Sequence, residues 1–144
     1  MIELKEQPFD PLEELQVFQE KLPAGKYGAC CNFIGSMRDF NDGHTVSKMT
    51  LEYYPGMTEK FLDKICQEAR EKWPLLDCLI IHRVGEIDPN ESIVLTAAWS
   101  AHRDASFAAC RYLIEELKHR APFWKKEDTD SGDRWVSENT PSDQ

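Results

Sequence analysis

The sequence lacks a long hydrophobic run, and no apolar stretch approaches the roughly 20 residues that span a bilayer. Its first residues, Met-Ile-Glu-Leu-Lys-Glu-Gln-Pro, lack the pattern of a signal peptide. Positive charge is scarce too, because 17 Lys and Arg residues stand against 26 Asp and Glu residues, for a net charge of −9. An acidic chain is poorly suited to general binding of nucleic acid or anionic membranes. We therefore expect a cytoplasmic protein that binds neither.

Familiar metal, disulfide and cofactor motifs are also missing. The cysteines are odd in number and form no CxxC or Cys/His ligand spacing, so we expect reduced core thiols at Cys30, Cys31, Cys66, Cys78 and Cys110. No HExxH or HxH pattern joins the histidines, which fall in different elements: His44, His82, His102 and His119. There is no serine nucleophile elbow, phosphate-binding glycine loop or dinucleotide fingerprint. The sequence thus predicts neither a metal nor a cofactor.

The order of apolar patterns predicts helices mixed with mostly adjacent strands, which is typical of a single α+β domain with a mainly antiparallel sheet. We place this domain at residues 1–136 and a flexible tail at 137–144. The predicted helices cover residues 10–22, 58–73 and 103–118. The predicted strands cover residues 28–34, 47–54, 76–84 and 92–99, followed by a hairpin of residues 124–127 and 133–136.

Several details of these elements can be predicted. Asp10 should cap the first helix, with Pro11 at its first position and an apolar stripe of Leu12, Leu15, Phe18 and Leu22. Thr58 should cap the second helix. We expect residues 28–34 to form a buried strand, 35–44 a surface loop, and 85–91 the connection of a hairpin.

One stretch carries the positive charge that the rest of the chain lacks. From Arg103 to Lys126 the net charge is +3, which leaves −12 for the remaining residues; its cations are Arg103, Arg111, Lys118, Arg120, Lys125 and Lys126. A positive island in an acidic protein favours an anionic ligand. Residue types alone therefore indicate a site for an anionic small molecule.

Lys118 is the first candidate within this island. With Phe107 at zero on a helical wheel, Cys110, Leu113, Ile114 and Leu117 form a buried arc, and Lys118 falls about 20° from Phe107 at its rim. Partial burial would lower the pKa of Lys118 and free its amine as a nucleophile or base. The alternative is a lysine at a helix end that extends into water.

Three further cations are candidates for binding an anion. His102 and Arg103 open the central helix, where backbone N–H groups and a guanidinium fork favour phosphate or carboxylate. Alternatively, the pair caps the helix or bridges to surface acids. Arg38 lies in the polar segment after Gly35 and is equally consistent with a solvated loop arginine.

Several longer segments resemble the catalytic (large) subunit of molybdopterin synthase, over roughly residues 28–136. These segments are Gly-Ser-Met-Arg at 35–38, Leu-Glu-Tyr-Tyr-Pro-Gly-Met-Thr-Glu-Lys at 51–60 and His-Arg-Val-Gly-Glu at 82–86. The most specific are Ser-Ala-His-Arg at 100–103 and Leu-Lys-His-Arg-Ala-Pro-Phe-Trp-Lys-Lys-Glu at 117–127. The resemblance also implies an α/β-hammerhead-like fold.

The resemblance implies a sulfur-transfer reaction in molybdenum cofactor biosynthesis. A cyclic pyranopterin monophosphate, precursor Z, would receive two dithiolene sulfurs and become molybdopterin. The sulfur would arrive as the C-terminal thiocarboxylate of a small ubiquitin-like subunit with a Gly-Gly tail. Two large subunits would form a central homodimer with a small subunit at each end, making a heterotetramer.

The resemblance also implies which residues form the site. Lys118 and Lys125 would take the central catalytic roles, and substrate would further contact Ser36, Met37, Arg38, His102, Arg103, Lys126 and Glu127. Relatives can carry another arginine where this chain has Asn139, so an anion contact from that segment is in doubt.

Two other functions compete with this interpretation. A binding module for a ubiquitin-like tail would need no chemistry of its own, but tail docking does not require so many cations. A phosphate-ester hydrolase would need a metal site or a nucleophile dyad, and neither is evident in the sequence.

Overall fold

The protein was analysed as a computed structural model that describes residues 1–136. The expected tail at 137–144 and Asn139 lie outside the described residues. The described helices are α1 (Pro11–Glu20), α2 (Met57–Lys72) and α3 (Arg103–Arg120). The described strands are β1 (Ile2–Lys5), β2 (Ala29–Ser36), β3 (Phe40–Asn41), β4 (His44–Tyr53), β5 (Leu75–Arg83), β6 (Gly85–Ile87), β7 (Ser92–Ser100), β8 (Phe123–Thr129) and β9 (Gly132–Val136).

The α+β prediction is confirmed, with the strands divided between two sheets. The first sheet has the order β1-β5-β7-β2, in which only β1 and β5 run parallel among the described pairs. The second has the order β3-β4-β8-β9, and β6 adds to it by pairing with β4. No helix within residues 1–136 is both long and apolar enough to cross a membrane.

The first sheet is the middle layer of the main core. Alternation along β5 sends Cys78 and Ile80 towards α2 and α3, and Leu79 and Ile81 towards α1. The second sheet has its own apolar cluster, formed by Met37, Val46, Met49, Leu51 and Ile87. Helix α3 therefore packs on the first sheet while its C-terminal end leads through Ala121 and Pro122 directly into β8 of the second.

The start of α1 and the end of α3 follow the predicted signals. The Asp10 carboxylate accepts from the Leu12 and Glu13 N–H groups at 3.0 and 3.4 Å, which confirms the predicted cap. Helix α3 runs without a break and ends just before Pro122, which confirms one continuous central helix. The apolar stripes were less accurate, because Leu12 is 64% exposed and Phe107 is 61% exposed.

The start of α2 differs from the prediction. Gly56, with φ of 84°, is the residue before the helix, and Met57 is its first residue. A positive φ is easily adopted only by glycine, which fixes the start at this point. Thr58 lies inside the helix, where its hydroxyl accepts from the Tyr54 N–H and donates to the Pro122 carbonyl. Thr58 thus joins α2 to the segment that enters β8.

Three other segments also differ from their predictions. Strand β2 is half-buried rather than buried because it is the edge of the first sheet, and Phe33 on it is 42% exposed. The segment 35–44 is not wholly a surface loop, since Met37 and Asn41 are buried and β3 begins at Phe40. Residues 85–91 connect β5 to β7 as the predicted antiparallel hairpin, but the connection is more than a turn, because β6 within it pairs with β4.

Candidate functional site

A pocket forms where the C-terminal end of α3 meets β4, β5 and β8. It encloses about 620 Å³ of empty volume, its open mouth included, which is within the usual size of a ligand site. Polar groups enter it from Lys118, Lys125 and His82. The apolar wall is formed by Met49, Leu51, Ile93, Leu117, Ala121, Phe123 and Val136. The pocket thus combines cationic groups with an apolar wall.

Lys118 enters the pocket from the last turn of α3. The residues on its buried side, Ile114 and Leu117, anchor this turn on the core, and Lys118 itself is half-buried. Burial lowers the pKa of Lys118 because it removes water from the ammonium group, and repulsion from Lys125 and Arg38 lowers it further. The structure therefore agrees with the desolvated rim position expected from the helical wheel.

Lys125 enters the same pocket from β8. Side chains alternate along the strand, so Lys125 shares a face with Phe123 and lies opposite Leu51 of β4. Burial lowers the pKa of Lys125, with smaller effects from Glu127, which raises it, and Arg38, which lowers it. Two lysines with lowered pKa values thus share one cavity.

His82 is the pocket residue that sequence analysis did not assign to the site. Its ring is 3% exposed and stacks on Phe123, with centroids 4.2 Å apart and planes 16° apart. Burial lowers the pKa of His82 to about 4, and the charge of Lys118 also lowers it. Nδ1 lies 2.7 Å from the Arg83 carbonyl oxygen, which can only accept, so Nδ1 carries the proton of a neutral ring. Nε2 is then an acceptor in a pocket of cations.

A sequence signal for His82 existed. The strand pattern of residues 76–84 places His82 on the same face as Cys78 and Ile80, which is the face that meets α3. A polar residue at the end of such a face marks the boundary between the core and a possible site.

Arg38 lies near this pocket but on an exposed segment. Its guanidinium contacts two neighbours, the Phe40 ring at 4.9 Å from the centroid and the Asn41 Oδ1 atom at 3.5 Å. Its charge contributes to the lowered pKa values of both Lys118 and Lys125. Ser36, which ends β2, is also exposed close to it in sequence. Arg38 therefore contributes positive potential to the pocket.

Three other predicted substrate residues do not line the pocket. Met37 is 5% exposed and belongs to the apolar cluster of the second sheet. Lys126 follows Lys125 on the strand, so it lies on the opposite face, where it pairs with Asp133 at 3.4 Å. Glu127 is 4% exposed and accepts hydrogen bonds from Asn41 and Arg134. Within this protomer, these three side chains therefore make structural contacts.

His102 and Arg103 are exposed at the other end of α3. Arg103 precedes Lys118 by 15 residues. The rise of the helix separates them by roughly 22 Å. His102 precedes the first residue of α3 and makes no side-chain capping bond, so the capping alternative is not supported. One protomer alone does not bring this pair to the lysines.

Fold and pocket together define a class of protein: an α+β protein in which two partly dehydrated lysines and an uncharged histidine line one pocket. A model of the MoaE protein family matches residues 4–120. The chain belongs to this family, the molybdopterin synthase catalytic subunits, which are sulfurtransferases of molybdenum cofactor biosynthesis.

Individual relatives agree with this assignment. The molybdopterin synthase catalytic subunit of Pseudomonas aeruginosa is 50% identical over 143 residues, which cover 99% of this chain and 93% of that protein. The structure of the molybdopterin biosynthesis MoaE protein from Burkholderia ambifaria matches with a TM-score of 0.81 and 41% identity, covering 99% of this chain and 93% of that one.

A more distant structure matches in fold alone. It is a protein–protein complex of subunits 1 and 2 of molybdopterin-converting factor from Helicobacter pylori, with a TM-score of 0.80 and 22% identity. The match covers 96% of this chain and 92% of that one.

Proposed function

We propose that this pocket converts precursor Z, a cyclic pyranopterin monophosphate, to molybdopterin by adding the two dithiolene sulfurs. The observation that carries the proposal is the pair of half-buried lysines, Lys118 and Lys125, in one cavity with lowered pKa values. Lysines in this state supply a neutral amine more readily than lysines in water, and they still provide charge for an anionic substrate.

Lys118 and Lys125 take the central catalytic roles in this proposal. An amine on an apolar wall acts as a nucleophile towards an acyl group or as a base towards the pterin. The His82 ring beside them is neutral, so the positive charge on the pocket wall comes from the two lysines. Arg38 and Ser36 are proposed to contact the substrate from the segment after β2.

The sulfur donor is proposed to be a small ubiquitin-like subunit whose C-terminal thiocarboxylate enters the pocket. A Gly-Gly tail has no side chains, which suits entry between the apolar wall and the two lysines. The Helicobacter pylori complex of subunits 1 and 2 supports a partner of this kind. A simple tail-binding module fits the site less well, because two half-buried lysines with lowered pKa values in one pocket are typical of a catalytic site.

The pocket is proposed to be completed by a second copy of the chain. His102 and Arg103 lie too far from Lys118 along α3 for one pterin phosphate to touch both ends of the same helix. In a symmetric homodimer, these two residues of one protomer would bind the phosphate beside the lysines of its partner. With one small subunit at each end, the assembly is a heterotetramer.

The test is reconstitution with purified components. The chain is mixed with precursor Z and a small subunit carrying a C-terminal thiocarboxylate, and dithiolene formation is measured. We expect product that depends on both components. The matched control is the same small subunit with an ordinary C-terminal carboxylate, which should give no product. A chain that binds the small subunit but forms no dithiolene would contradict the proposal and favour the binding module.

A further inference from the structure

Arg38, the arginine near the pocket, is connected to the second sheet by a buried amide. We propose that Asn41 is a positioning residue that links Arg38 to Glu127 and thereby fixes the guanidinium beside the pocket. This inference rests on the proposed role of Arg38 in binding the substrate. It assigns Asn41 a function and gives Glu127 a role through Asn41 instead of direct contact with the substrate.

The hydrogen bonds define which way the Asn41 amide faces. Asn41 Nδ2 lies 3.1 Å from both carboxylate oxygens of Glu127, and Arg134 donates to the same carboxylate at 3.0 and 3.3 Å. A carboxylate held by an arginine can only accept, so the NH2 group of Asn41 must face it. The amide oxygen is then left to accept from Arg38 Nη2, at 3.5 Å. The opposite orientation would lose all three contacts.

The segment around Arg38 is fixed at several points besides Asn41. Met37 is buried, its N–H donates to the Glu91 carbonyl at 2.9 Å, and its carbonyl accepts from the Asn90 N–H at 3.0 Å. The Phe40 ring lies under the guanidinium. These contacts fix the backbone and one face of the Arg38 side chain, and Asn41 supplies the in-plane contact that fixes the direction of its fork.

Packing alone does not require this arrangement. Asn41 is 8% exposed and Glu127 is 4% exposed, and burying two polar side chains is costly unless each is hydrogen-bonded. An apolar pair of similar volume would satisfy the core equally well. The hydrogen-bonded network extends from Arg134 through Glu127 and Asn41 to the exposed Arg38. Such a network can hold the Arg38 guanidinium in one orientation.

A double-mutant cycle on the complete synthase tests the link. KM for the pterin and kcat are measured for Arg38→Ala, Asn41→Ala and the combined variant, with the small subunit present. We expect Asn41→Ala to raise KM about three- to tenfold, as for one lost hydrogen bond, with little change in kcat. The combined variant should match Arg38→Ala alone, because Asn41 acts through Arg38.

Two results would overturn the inference in distinguishable ways. If the two KM effects multiply, Asn41 does not act through Arg38, and the link is wrong while the role of Arg38 stands. If Arg38→Ala leaves KM unchanged, the proposed contact between Arg38 and the substrate is wrong, and the link falls with it. The control Asn32→Ala removes an exposed asparagine of β2 that lies outside this network, and it should leave KM unaltered.

A reversed pair covers the case in which Asn41→Ala fails to fold. Asn41→Asp alone places two carboxylates in contact and should impair folding or raise KM. Asn41→Asp with Glu127→Gln exchanges donor and acceptor, since the Gln amide then donates to the Asp, which still accepts from Arg38. We expect the reversed pair to recover KM to within about threefold of the original value. A folded reversed pair that remains as impaired as Asn41→Asp would overturn the inference.

Discussion

The two ends of helix α3 place cations in opposite surroundings. At the C-terminal end, Lys118 is half-buried against apolar residues and near Lys125. At the N-terminal end, His102 and Arg103 are exposed to solvent. The comparison teaches that charge alone does not identify chemistry, because burial at the C-terminal end lowers the pKa of Lys118. The exposed end presents hydrogen-bond donors that can bind an anion presented by another molecule.

The same contrast appears within a single turn of the helix. Arg120 lies two residues after Lys118, yet it points to Glu68 and Glu116, with the shortest contact at 2.6 Å. Hydrogen bonds to these carboxylates raise the pKa of Arg120, whereas burial lowers that of Lys118. Arg120 therefore joins α3 to α2, whereas Lys118 lines the pocket.

The largest expected effect is that of replacing Lys118. Lys118→Ala should lower the rate of dithiolene formation at least about 100-fold, as for the loss of an acid–base or nucleophilic group. Lys118→Arg should fail as well, because a guanidinium keeps its proton at neutral pH. In the original chain, kcat/KM should rise with pH through the lowered pKa as the amine becomes neutral.

Folding and charge must be separated from catalysis in this experiment. Circular dichroism should show both Lys118 variants folded, and Lys64→Ala, an exposed lysine on α2, should retain full activity. A Lys118→Arg enzyme with near-normal turnover would leave this lysine with a charge role only.

The next effect compares the two adjacent lysines of β8. Lys125→Ala should lower turnover about tenfold or more, because the side chain enters the pocket. Lys126→Ala should change it less than about twofold, because that side chain pairs with Asp133 on the other face. Steady-state rates of the two variants provide the measurement, and each serves as the control for the other. Equal, small losses would mean that the segment supplies only diffuse positive potential.

Much of the fold could be predicted because local signals and burial agree. The Asp10 cap, the end of α3 before Pro122 and the glycine turn between β8 and β9 all follow from residue chemistry near the feature. The position of a strand within a sheet could not be predicted in this way. Nothing local shows that β2 lies at an edge or that β6 crosses to the second sheet, since both depend on pairing between distant segments.

The site shows the same division. The helical wheel placed Lys118 correctly because the neighbouring residues of α3 define its buried arc. His82 and Asn41 were missed because their importance comes from partners far along the chain, Phe123 and Glu127. Alternation along β8 could have separated Lys126 from Lys125, but it leaves Glu127 on the same face as Lys125, and resemblance to the family groups all three together.

Subunit mixing tests whether the exposed end of α3 serves a neighbouring pocket. Arg103→Ala and Lys118→Ala chains should each be inactive or nearly so. After exchange, half of the dimers are mixed, and one pocket of each mixed dimer is intact. About a quarter of the original activity should therefore return. Dithiolene formation is measured after exchange is verified with tagged chains. Verified exchange without recovery would contradict the shared site.

The smallest expected effect concerns folding stability, and it tests whether water is excluded from His82 beside the C-terminal end of α3. The pKa of His82 is lowered from 6.5 to about 4 in the folded protein, so the unfolded chain binds the additional proton first as pH falls. The stability due to this neutral ring is complete above pH 6.5 and is lost progressively down to about pH 4.

Urea unfolding at pH 7 and pH 5 measures this loss. Between these values His82 should account for about 2 kcal/mol of the decrease in unfolding free energy. This is because pH 5 lies about 1.5 units below the ordinary pKa of histidine, and each unit corresponds to about 1.4 kcal/mol. His82→Gln should be less stable at pH 7 but should show a decrease smaller by that amount. His119→Gln is the control, because the His119 side chain is 71% exposed and should leave the decrease unchanged. If His82→Gln loses as much stability as the original protein, His82 accepts a proton while folded, and the C-terminal end of α3 is as hydrated as the N-terminal one.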